Sequence, residues 1–339
     1  MCLTTTKLAG KFKQSIIYMR IFPFFIVFFC VFHFMACNGQ NKNEMLNEQS
    51  FVNRKTCVAG QFYSAGKKEL NSDLSRFFSG AGKVEVANLN AIISPHAGYV
   101  FSGGVAASAF SQVDPEKKYE YVFVLAPSHR MSFDGASIYW QGNYETPLGE
   151  IAVARDLGYR LWQKHKVFQF GSESHIQEHS LEVQLPFLQF WLKKDFLLVP
   201  IVIGTQNAAT CKKIAEILKP YFNANNLFVI SSDFSHYPSY EDACHVDSES
   251  AQQILLNDPE KLLGYIRHSE DEKFNGLATR MCGLGPVLTL LYMTDKNKDL
   301  EYKLLAYKNS GDSEYGDHAR VVGYNAIGEI GRASCRERV

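Results

Sequence analysis

Four short runs along the chain are apolar at consecutive rather than alternating positions: Asn90–Ser94, Tyr121–Ala126, Phe196–Ile203 and Leu227–Ser231. A strand that is apolar on both sides is covered on both faces, so these runs predict the inner strands of a parallel sheet. Between them lie stretches whose apolar residues recur at helical spacing. Gly103–Phe110, Ser180–Leu192, Ala209–Phe222, Ser248–Leu256, Pro259–Ile266 and Gly285–Met293 read as helices. In Ser180–Leu192 the stripe is Leu181, Leu185, Leu188 and Leu192, and Pro186 falls in the first turns, where it is tolerated or kinks the helix. Two further strands, Tyr302–Lys308 and Ala319–Ile327, are expected to pair across the loop Asn309–His318. Strands alternating with helices give an α/β fold: one domain with a mainly parallel central sheet flanked by helices.

Composition narrows the picture modestly. The chain has 339 residues, and 46% are apolar, enough for a large core. Lys plus Arg balance Asp plus Glu at 35 each, so no basic field favours nucleic acid. The eight cysteines form no CxxC pair, which excludes a zinc ribbon or a small disulfide framework.

The ends read differently from the middle. Residues 21–36 are an apolar stretch preceded by Arg20 and, further upstream, Lys7, Lys11 and Lys13. A basic start followed by a short apolar segment is a secretory signal pattern, and it is short for a membrane span. It ends at Phe34-Met35-Ala36-Cys37, which looks like a lipobox with Phe34 where Leu is usual, and Met19 could serve as the start. Residues 1–37 are therefore expected to be a signal and lipobox region, with membrane attachment through a lipid on Cys37. A plain anchor helix and plain secretion are the alternatives. Residues 38–50 are polar and aperiodic, as suits a tether. The domain is expected over residues 51–330. The closing GRASCRERV, residues 331–339, is read as a non-native tail. The expected location is the cell envelope as a membrane-anchored lipoprotein, or otherwise secreted or periplasmic.

The candidate chemistry lies where the strand-like runs end. The first leads into Pro95-His96, the second into Ser128-His129, and the fourth into Ser232-Asp233-Phe234-Ser235-His236. In open parallel sheets ligands bind outside the carboxyl ends of the strands, so these residues can meet at one site. Imidazole is the commonest metal ligand and a proton shuttle near neutrality, which points to a metal or acid–base site. Any one of these histidines taken alone reads equally well as a hydrogen-bonded loop residue. Cys282 precedes a helix-like segment, where a thiol's pKa is lowered, and an inert buried cysteine is the competing reading.

His175-Ile176-Gln177-Glu178-His179 matches the inverted zincin pattern HxxEH. That pattern needs one helix through both histidines, whereas Gly171-Ser172 and Ser174 indicate a loop and the helix is expected to start near Ser180. His179, with Glu182 on the next turn, could still project into the common pocket. Ser102-Gly103-Gly104 at a helix start could bind an anion or serve only packing.

These segments together resemble the Memo family, known in bacteria as AmmeMemoRadiSam system protein B. The matching stretches are Ala59–Tyr63, Ser94–Tyr99, Pro127–His129, Thr146–Gly149, Glu178–Glu182, Pro200–Gly204, Ser231–His236 and Cys282-Gly283, in order from about residue 54 to 328. The resemblance implies the fold of the class III extradiol dioxygenase catalytic subunit. It also implies an iron or copper ion held by His96, His129 and Cys282, with Asp233, His236 and His179 lining the pocket in catalytic roles. The dioxygenases use a carboxylate where this chain has Cys282; a thiolate is softer and suits copper or redox work, so ring cleavage is not expected. The leading expectation is an iron- or copper-dependent redox protein acting on an unidentified small molecule or peptide. A non-enzymatic metal- or peptide-binding protein of the envelope and a metal-dependent hydrolase are the alternatives.

Overall fold

The sheet is built around four parallel strands in the order β6–β2–β7–β1, formed by Leu197–Ile203, Tyr121–Pro127, Asn226–Ser231 and Leu89–Ser94. Nearly every residue of these strands is buried, as consecutive apolar runs require. The computed structural model describes residues 51–82, 89–268 and 274–331. The expected signal region with Cys37, the tether at 38–50 and residues 332–339 of the expected tail lie outside the described residues. Gly331, the first residue of that expected tail, closes the last strand.

Three antiparallel strands complete a seven-stranded sheet. β3 (Ala136–Ile138) pairs with β6 at one edge, and β9 (Gly323–Gly331) lies between β1 and the edge strand β8 (Leu300–Asn309). β8 and β9 pair as expected, although β9 starts at Gly323 rather than Ala319. β4 (Tyr144–Thr146) and β5 (Gly149–Ile151) form a separate hairpin that the hydrophobic pattern did not reveal.

Helices cover both faces. One face presents Ile92, Val122, Val124 and Val229 to a cluster that includes Leu70 and Leu74 of α1 (Lys67–Gly80), Phe110 of α2 (Tyr99–Phe110) and, later in the chain, Phe187 and Leu188. The alternate side chains Phe123, Leu125, Phe228 and Ile230 are equally buried. Each fully buried side chain of this size contributes roughly 1.5–3 kcal/mol of transfer free energy. Gly103 lies inside α2 rather than at its start, and a Cβ there would come within 2.7 Å of the Phe77 ring. It is therefore a close-packing position, not an anion site.

The remaining helices are α3 (Arg155–Lys164), α4 (Glu173–Ile176), α5 (His179–Glu182), α6 (Leu185–Trp191), α7 (Ala208–Leu218), α8 (Tyr240–Leu255), α9 (Pro259–His268) and α10 (Leu284–Thr294). Two differ instructively from expectation. Ser180–Leu192 is split into α5 and α6, because Pro186 has no N–H to continue the ladder and starts a new helix instead. α8 begins well before Ser248, where the Ser239 side chain accepts a bond from the Asp242 N–H and caps it. Among the described residues no helix is long and apolar enough to cross a membrane.

Candidate metal centre

Strand register brings the chemistry to one level. Ser94 of β1 is level with Ser231 of β7, and Leu125 of β2 with Ile230. His96 and His129 each stand two residues past the end of their strand. The α4–α5 segment brings His179 to the same place. One donor atom from each of His96, His129 and His179 lies within 4.8 Å of the others, and this group could hold a metal ion.

Hydrogen bonds decide which nitrogen each ring offers. The Ser231 hydroxyl donates to the Ser180 carbonyl at 2.7 Å and accepts from the Gln184 amide at 2.8 Å. Its one proton is thus committed, so at 2.8 Å it accepts from His96 Nδ1–H. His96 Nε2 is left as the acceptor nitrogen, facing Cys282 Sγ. Burial, followed by the charges of His129, His179 and His236, holds the His96 pKa well below its ordinary value, so the ring stays neutral.

Glu178 does the same for His129. Its carboxylate accepts from the His129 backbone N–H at 2.6 Å and from Nδ1 at 2.9 Å, and from the Ser180 N–H at 3.0 Å. Burial pushes this acid up, yet the His129 and Ser180 bonds outweigh burial and bring it down to about 2. His179 Nδ1 lies 3.3 Å from the same carboxylate. Burial lowers the His179 pKa to about 4 even though Glu178 raises it. Partners on Nδ1 that fix the tautomer and aim Nε2 are the usual support of a metal-binding imidazole.

Cys282 Sγ lies 3.2 Å from His96 Nε2. It borders the three-histidine group without belonging to it. Gly283 makes the approach possible: a Cβ there would stand 2.4 Å from the Ser232 side chain. The expected lowering of the thiol pKa by the helix start is reversed. Burial, and then the Asp233 charge, push it well above the ordinary value.

Asp233 is buried, and its Oδ1 accepts from the His96 N–H at 2.7 Å, so it positions the β1 loop. Burial raises its pKa, against the pull of His236. His236 donates from Nδ1 to the Phe234 carbonyl at 2.8 Å, which leaves Nε2 as a base. The turn after it needs Tyr237 at a φ of 74°, an uncommon conformation for a bulky residue.

As the loop residues before Ser180 indicated, His175 and His179 sit on separate short helices, so the inverted zincin arrangement is absent. His175 donates from Nε2 to the Ser137 carbonyl at 3.1 Å and accepts from Tyr144 Oη at 2.7 Å, leaving no nitrogen for a metal. Glu182 turns away from the pocket. It binds Arg54 and Tyr63 and accepts from the Cys57 N–H at 2.9 Å and the Val58 N–H at 3.2 Å. Arg54 in turn donates to the carbonyls of His175 at 3.0 Å and Glu178 at 2.7 Å, so this buried pair holds the loop carrying Glu178 and His179. Sequence reasoning missed Ser231, Gln184 and Arg54. It quoted Glu178 within the HxxEH match and the Memo-like stretch Glu178–Glu182, not as the residue that orients His129.

A cleft of about 900 Å³ opens beside the cluster, with His129 and Cys282 in its wall. Another of about 860 Å³ lies at the amino ends of β2 and β6, bordered by Lys118, Glu120 and Phe196. Neither histidine nor cysteine lines that second cleft, and it is at the wrong end of the strands for a ligand in an open parallel sheet.

A model of the Memo-like protein family matches residues 54–328. A MEMO1 family protein of Desulfurococcus amylolyticus is 32% identical over 286 residues, covering 81% of this chain and 98% of that protein. One from Methanosarcina mazei is 34% identical over 277 residues with the same coverage. Among solved structures, an uncharacterized protein of Escherichia coli K12 aligns with a TM-score of 0.43 at 11% identity, over 72% of this chain and 100% of that one. A likeness that slight carries no argument.

Proposed function

The chain belongs to the Memo-like family, and from that premise we propose that it is an iron- or copper-dependent redox protein of the cell envelope. His96, His129 and His179 hold the metal, and Cys282 supplies a fourth, softer donor. The observation that carries this reading is the convergence of three imidazoles within 4.8 Å, with Ser231 and Glu178 behind two of them. Three nitrogens beside a thiol suit a first-row transition ion better than Mg²⁺ or Ca²⁺, which prefer oxygen.

Such an ion supplies one-electron chemistry and a position for a small-molecule ligand. The chain's own residues do the rest. Ser231 and Glu178 accept from the His96 and His129 Nδ1–H groups and so aim the rings. Asp233 holds the His96 loop by accepting from its backbone N–H. His236 Nε2 accepts or returns a proton. The basic and apolar segment ending at Cys37 supports the envelope location.

A second reading rests on the same geometry. With Cys282 left off the ion, three imidazoles and an open fourth position also describe a hydrolytic zinc site. Elemental analysis of untagged protein purified without chelators separates the two, run for wild type and His96→Ala. Stoichiometric iron or copper in wild type, lost from the variant, together with oxygen consumption in the presence of a reductant, supports the redox reading. Zinc in its place moves the site to hydrolysis. Equal metal in both proteins removes the site altogether.

A further inference from the structure

We infer that the polar cleft beside the histidines takes a small ligand bearing a carboxylate or phosphate group, and that Arg130 is the residue that selects it. The inference rests on the metal reading above and names the class of molecule that site takes.

The cleft of about 900 Å³ is walled by Ser128, Arg130, Ser132, Thr205 and Gln206 beside His129 and Cys282. These side chains offer hydrogen bonds. The one large aromatic ring in the wall, Phe133, is already stacked on Phe170 at a centroid distance of 4.6 Å. A polar ligand therefore fits this wall better than an apolar one.

Arg130 is exposed, one residue past His129, and its Nε donates to the Gln177 carbonyl at 3.3 Å. That bond ties down the base of the guanidinium. Among the described residues no carboxylate lies within ion-pair distance of its terminal nitrogens, so the planar fork remains for a ligand.

Asp134 lines the same cleft and opposes an anion. The donor set outweighs it. A metal ion there offers an anion a coordination position, although Glu178 lies behind His129 and His179, and Asp233 lies 3.9 Å from His96 Nε2. An anion that reaches both the ion and Arg130 makes two cationic contacts, against the single opposing Asp134 in the cleft wall. A guanidinium binds carboxylate or phosphate with two parallel bonds, which an ammonium cannot reproduce.

The test uses metal-loaded full-length protein and calorimetric titration with succinate and, separately, inorganic phosphate. Neutral succinamide is the control, and metal content is measured in every sample. Arg130→Gln is expected to weaken binding of one or both anions about tenfold. Arg130→Lys should lose less, and succinamide should not respond to either change. The stronger of the two anions identifies the group recognised. Equal anion affinity in wild type and Arg130→Gln overturns the inference, as does wild type that holds its metal but binds neither anion. Wild type that fails to hold metal sinks the metal reading, and the inference falls with it.

Discussion

Glu178 and Glu182 lie under the candidate site, and Glu329 lies in β9, one strand in from the sheet edge. All three are withdrawn from water to at most 1% exposure. Their acidities nevertheless move in opposite directions. Glu178 comes down to about 2, and Glu182 is also lowered. Glu329 is pushed up to about 7 by burial. The difference is the supply of donors. Glu178 accepts from His129 and Ser180, and Glu182 from Arg54, Tyr63, Cys57 and Val58. Glu329 Oε2 accepts from the Asn90 N–H at 3.2 Å, and its Oε1 has no partner. Burial always penalises the charge, and only a set of fixed donors reverses the sign. The site therefore sits on two stable buried anions, and the β9 carboxylate is a liability that titrates.

Arg54→Ala attacks the contrast where it is strongest. It strands the Glu182 charge in the interior, and the expected loss is about 3–5 kcal/mol in urea denaturation. A loss below about 1 kcal/mol would mean that water replaces the guanidinium, and the distinction between the two regions would collapse.

Glu178→Gln keeps the shape and removes the charge. The fold should survive, while metal affinity in chelator competition falls about 10–100-fold, the usual cost of losing a partner behind a metal-binding imidazole. Unchanged affinity would show that Glu178 does not set the His129 tautomer.

Glu329→Gln gives the smallest effect and the opposite sign. The ordinary carboxyl value is 4.5, and burial pushes Glu329 up to about 7 in the fold. Between those values the folded state binds more protons than the unfolded one, so stability falls as pH rises through that window. Removing the group should raise stability at pH 8 by about 1–2 kcal/mol and change little near pH 4. A destabilised variant at pH 8 would show that the β9 carboxylate has a partner after all.

The inner strands were legible because a strand buried on both faces must be apolar throughout, and the runs ending at Ser94, Ala126, Ile203 and Ser231 are. His96 and His129 were legible for a related reason: a polar residue just past such a run sits at the end of a sheet where ligands bind. Cys282 was singled out only through likeness to a family. His179 was harder still. The sequence indicated only that a helix starts near Ser180; that Glu178 caps it through the Ser180 N–H, with His179 as its first residue, needed the structure. The β4–β5 hairpin was hidden because strands of three residues carry too little pattern to read.

By itself the sequence determined the alternating α/β plan, the inner strands and the histidines that follow them, because burial on a sheet imposes a pattern on consecutive residues. Tertiary structure alone decided which donor atoms converge and which nitrogen each ring presents. It also decided that Glu178 orients a histidine while Glu182 anchors Arg54. Those assignments depend on partners tens to more than a hundred residues away: Ser231 to His96, Glu178 to His129 and Arg54 to Glu182. Local spacing holds no information about such distant pairs, and the hydrogen bonds that settle them exist only once the strands are in register.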